Sequence, residues 1–188
     1  MFSHQRHIRK FAKSAAFVAA SSILFVAATQ ATEVTGDKLM LTAYVNGSGG
    51  ESLVSGKYDA ALAEMATDRA NGSTAYSAKM NNLCVAYAAK KQLTEAKAAC
   101  TAAVKAAKYD RLSSQRFAPG SSRENSYVAI AYTNRAVVSM LTKDEAGAKE
   151  DLARAKSLAP TAEFVSRNLA AVQNARSTIA KLDVAPAR

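Results

Sequence analysis

Tyr76-Ser77-Ala78-Lys79-Met80-Asn81-Asn82-Leu83-Cys84-Val85-Ala86-Tyr87 leads through Lys90-Lys91-Gln92 into Leu93-Thr94-Glu95-Ala96-Lys97-Ala98-Ala99-Cys100-Thr101-Ala102-Ala103-Val104. This stretch decides the fold. In its first half Tyr76, Met80, Leu83, Cys84 and Tyr87 recur at spacings of three and four, which puts them on one face of a helix. In its second half Leu93, Ala96, Cys100, Ala103, Val104 and Ala107 do the same, and Glu95 suits the positive end of the helix dipole. Two helices joined by so short a turn make an antiparallel hairpin.

Toward the C-terminus the pattern returns. A second pair is expected over 125–141 and 144–158, with Asp144 as N-cap, Ala148, Leu152 and Ala155 facing inward, and Pro160 as a stop. A run from Thr161 carrying Val165, Leu169, Val172 and Ile179 predicts a single closing helix. Between the pairs, 108–123 reads as an irregular insertion holding Arg111, Arg116 and Arg123. Toward the N-terminus, Gly47-Ser48-Gly49-Gly50 lacks the following Lys and Ser/Thr of a phosphate loop and reads as a flexible linker. Lys38 to Val45 alternates only loosely, so strand, helix and disorder all stay open there.

Composition agrees with helices. The 188 residues allow one ordinary domain, with 49% apolar content, three Pro, eight Gly and no Trp, and Ala dominates the apolar share. An all-α domain over 51–182 is expected, preceded by a segment at 32–50 and followed by a short tail at 183–188.

The first residues differ from the rest. Arg6, Arg9, Lys10 and Lys13 precede an apolar run from Ala15 to Ala28, and Thr29-Gln30-Ala31 places small residues where signal peptidase reads them. Residues 1–31 therefore read as a signal peptide with Thr32 as the mature start, implying a periplasmic or secreted protein. Its removal takes the net charge from +10 to +6. The apolar run is shorter than the roughly twenty residues that span a bilayer, so no transmembrane span is expected in the mature chain. Both histidines, His4 and His7, leave with this segment. The commonest general base and metal ligand leave with them, and no nucleophile elbow or metal-ligand spacing remains. No catalytic residue, metal or cofactor is expected; Glu64 and Asp68, one helical turn apart, are read as a solvated pair.

An internal repeat is visible in Asn82-Leu83-Cys84, Asn134-Arg135-Ala136 and Asn168-Leu169-Ala170. The anchors Ala61, Ala96 and Ala148 keep the same step of about 34 residues once the 108–123 insertion is allowed for. On these residues the chain resembles the tetratricopeptide repeat (TPR) family. Asn82-Leu83-Cys84 with Tyr87, Ala96, Cys100 and Ala103 looks like one copy, and Ala136, Ala148, Leu152, Ala155 and Pro160 like a degenerate second. Ser139 and Arg135 depart from the family pattern. Gly56-Lys57-Tyr58-Asp59-Ala60-Ala61 looks like the turn and second helix of an earlier copy.

The resemblance implies a TPR-like α-solenoid of helix hairpins with a C-terminal capping helix, binding a protein or peptide in a concave groove. Carried over by motif position, that groove would be lined by Asn81, Val85, Ala88, Thr133, Val137 and Met140. A rival expectation places anionic lipid or polymer on the basic loop through Arg111, Arg116 and Arg123. Nucleic acid is not expected, because aromatic residues do not cluster beside those arginines.

Cys84 and Cys100 are the only cysteines, and both belong to the exported part. Each lies eight residues from the turn centre at Gln92, so an antiparallel hairpin brings them to one height. Helix axes about 8–10 Å apart leave facing Cα atoms roughly 4–5.5 Å apart, within disulfide reach. A disulfide is predicted.

Overall fold

The structure is a computed structural model, described over residues 38–69, 72–115, 122–174 and 181–187. The expected signal peptide and mature start, together with Arg116 and Ile179, lie outside the described residues. The described chain is mostly helical, with one short parallel strand pair.

Its elements are β1 (Lys38–Ala43), α1 (Gly50–Val54), α2 (Tyr58–Thr67), α3 (Ser73–Ala89), α4 (Leu93–Gln115), α5 (Ser122–Leu141), α6 (Glu145–Leu158), α7 (Glu163–Asn174) and β2 (Lys181–Pro186). The turn after α3 closes with Lys91 at φ 60°, and the turn after α5 repeats it with Lys143 at φ 63°. Asp144 caps α6 through Gly147 N–H, as its position predicts. α3 packs along α4, α5 along α6, and α4 against α5.

Cys84 and Cys100 stand at disulfide-bonding distance with Cα atoms 4.7 Å apart, inside the range that hairpin geometry requires. Arg135, where the repeat pattern calls for an apolar side chain, forks onto Asp151 with bonds of 2.7 and 2.8 Å. That ion pair ties α5 to α6, and the carboxylate holds the guanidinium above its ordinary pKa against the opposing effect of burial. Arg135 and Arg154 also lie over the Tyr132 ring.

Three local expectations are corrected. The 108–123 stretch is helical at both ends, because α4 runs on to Gln115 and α5 starts at Ser122. Gly47 to Gly50 is a built turn and not a loose linker. A Cβ at Gly50 would overlap the Tyr44 carbonyl oxygen, and Gly49 sits at φ 71° against Ala61. The C-terminal tail is in part a strand: β2 pairs with β1 in parallel, Leu39 beside Leu182 and Leu41 beside Val184.

Among the described residues β1 is central to the packing. It packs against α7, α5, α3 and α1. Leu39, Leu41 and Ala43 share one apolar cluster with Leu53, Met65, Val85, Ala88 and Val137.

Candidate functional site

The successive residues of a strand point their N–H and C=O groups alternately to its two edges. One edge of β1 faces β2. The other meets three asparagine side chains, one from each of α3, α5 and α7. Asn168 accepts from Met40 N–H at 2.7 Å and donates to Met40 C=O at 2.8 Å. Asn134 does the same to Thr42 at 2.8 and 2.8 Å, and Asn82 to Tyr44 at 2.8 and 2.9 Å.

A carboxamide presents an acceptor oxygen and a donor nitrogen in one plane, as a peptide group does, so the three together imitate a neighbouring strand. The step of two residues matches the strand period, which is why each asparagine meets the same edge. Asn81 adds a donor to Thr42 C=O at 2.9 Å and accepts from Asn134 at 2.9 Å. Asn82 also donates to Ser48 C=O at 3.0 Å, which anchors the glycine turn. All four asparagines are buried, and each has its amide satisfied. The arrangement grips an extended backbone without reading its side chains.

At the end of β1, Tyr44 meets Tyr127 edge to face with ring centroids 5.3 Å apart. Burial pushes the Tyr44 phenol above its ordinary pKa, helped by Tyr127 and Asp110. Beside this pair opens a cleft of about 990 Å³ between the first turns of α3 and α5, bordered by Asp68, Thr74, Ser77, Arg123 and Ser126.

The six expected groove residues fall as follows. Asn81 and Thr133 are buried, the first on β1 and the second bonded back to Ala129 C=O. Val85, Ala88 and Val137 are buried in the cluster that holds β1, and Met140 is half-buried against it. The face they form is covered, and β1 is part of what covers it. Of the arginines, Arg111 is half-buried and bonded to Asn125 at 3.3 Å, while Arg123 is exposed at the rim of the cleft. Glu64 accepts from Ser52 at 2.6 Å, and Asp68, whose backbone N–H donates to the Glu64 C=O at 3.1 Å, borders the cleft.

The residues that do most at this site were visible only as repeat markers. The signal that could have distinguished Asn82, Asn134 and Asn168 is an amide recurring inside an apolar face, where burial demands a partner.

Comparison of the chain with protein-family models, curated proteins and solved structures finds no match. Among the described residues no helix is long and apolar enough to cross a membrane.

Proposed function

We propose that this chain is an exported, non-enzymatic module of TPR-like helix hairpins that binds polypeptide in an extended form. One observation carries the reading: Asn82, Asn134 and Asn168 hold the N–H and C=O of alternate residues along a strand. That grip is specific to extended main chain, since the same groups in a helix are already bonded to one another. The recurrence of this asparagine on successive hairpins, with Arg135 and Asp151 joining one pair and Cys84 and Cys100 the other, supports the TPR-like reading. Export is supported by the leader-like composition of residues 1–31 and by the paired cysteines.

The test is crosslinking in the native envelope from photoreactive groups placed at Thr74 and Ser126, on the two walls of the cleft. Polypeptide attached in trans is the expected product. Lipid or polysaccharide attached with no polypeptide would move the assignment to the anionic-polymer reading of Arg123.

A further inference from the structure

β1 has no free edge, because the asparagines close one side of it and β2 the other. β2 has one. The strands pair in parallel with Lys38 beside Lys181, and Ala187 N–H donates to Ala43 C=O at 2.7 Å, so Lys181, Asp183 and Ala185 turn their main-chain groups toward β1. The N–H and C=O of Leu182 and Val184 point the other way, and among the described residues nothing bonds to them. β2 is also less covered than its neighbour. Leu182 to Ala185 are half-buried and Pro186 is exposed, whereas every residue from Leu39 to Ala43 is at most 4 % exposed. Past Pro186 the strand reaches the cleft between α3 and α5, which Ala187 borders.

Resting on the polypeptide-binding reading above, we propose that the outer edge of β2 is the surface that takes the polypeptide: an extended segment, apolar at alternate residues and acidic between them, adds as a third strand and continues into the cleft. Extended main chain is the occupant that matches a row of free N–H and C=O groups. Its apolar residues lie beside Leu182 and Val184, which pack on the apolar cluster around Leu39 and Leu41, and so extend that cover. Its acidic residues answer the cations at both ends of the edge. Lys38 and Lys181 hold opposed positions where the strands begin, and Arg123 stands at the cleft where they end. The acids nearby are engaged already: Arg167 lies on Asp183 at 3.4 Å, and the Lys79 ammonium donates to the Asp68 carbonyl at 2.5 Å. β1 stays in place throughout, and the asparagines serve by fixing the strand on which this edge is built.

The test places a methyl group on the backbone nitrogen of Val184 in the full-length protein, by joining a synthetic C-terminal segment. That methyl points away from β1 and blocks an added strand. The same group on Ala185, whose N–H the register directs to β1, is the contrast. Two labelled peptides are titrated, one alternating glutamate with valine and one alternating lysine with valine. Wild type is expected to bind the glutamate peptide saturably and more tightly than the lysine peptide. Methylation at Val184 should weaken that binding about tenfold, as loss of a main-chain hydrogen bond does, and leave the melting temperature unchanged, whereas methylation at Ala185 should lower it. Equal binding by wild type and the Val184-methylated protein would overturn the edge as the site, and peptide still crosslinked from Thr74 and Ser126 would then keep the polypeptide-binding reading. A preference for the lysine peptide would overturn the acidic occupant. A melting temperature lowered as far by the Val184 methyl as by the Ala185 methyl would show the edge to be covered and overturn the proposal. Dimers that the Val184 methyl abolishes would make a second copy's β2 the occupant and overturn it likewise.

Discussion

Asn134 makes three of the hydrogen bonds that seat β1, two to Thr42 and one to Asn81. In Asn134→Ala the Thr42 N–H is left buried and unpaired, whereas the Thr42 C=O keeps Asn81. The loss is about 2–3 kcal/mol, read as a fall of roughly 5–10 °C in melting temperature. Tyr44 tests burial by a different route. Its phenol titrates higher when folded than the ordinary value near 10, so the folded state keeps a proton that the unfolded chain releases. Stability is therefore full below pH ~10 and declines as the pH rises above it. Denaturant melts between about pH 9 and 11 should show that decline, and Tyr44→Phe should make it shallower. Both residues were open to sequence reading in unequal degree. Asn134 stood out as a repeat marker, but its partner is ninety-two positions away, and nothing in the local pattern points to Thr42.

At the scale of elements, the hairpin of α3 and α4 was legible because its information is local: three-and-four spacing, a short turn, and two cysteines equidistant from it. Reduction of Cys84–Cys100, which closes a separation of 16 residues, should cost about 3 kcal/mol. A melting temperature unchanged by reductant would contradict this. The pair α5 and α6 packs through Ala136, Ala148 and Leu152 and is also joined by Arg135 and Asp151, whose side chain is only 6% exposed. Arg135→Ala leaves that carboxylate without its fork and should destabilise by about 3–5 kcal/mol, while Arg135→Met combined with Asp151→Leu should recover most of the loss. A double-mutant cycle in denaturant measures the coupling. The strands were not legible, for a physical reason. A strand buried on both faces loses the polar and apolar alternation by which strands are recognised, and Leu39-Met40-Leu41-Thr42-Ala43 is buried throughout. β2 reads as a tail because its partner is β1, far away in sequence.

Among the described residues, helices made by local periodicity pack around a strand whose backbone bonds come from Asn82, Asn134, Asn168 and β2, all far away in sequence. That division explains why the residues expected to line an open groove are found buried or half-buried. Motif positions single out Val85, Ala88 and Val137, but only the fold reveals that they share a buried cluster with the chain's own β1. The most direct measurement is residue-resolved amide hydrogen exchange on the full-length protein. The N–H groups of Met40, Thr42 and Tyr44 should be protected to the level of the α5 core in the wild type, and Asn134→Ala should lower protection first at Thr42. Exchange of these three amides at the rate of an unstructured peptide in the wild type would contradict the account.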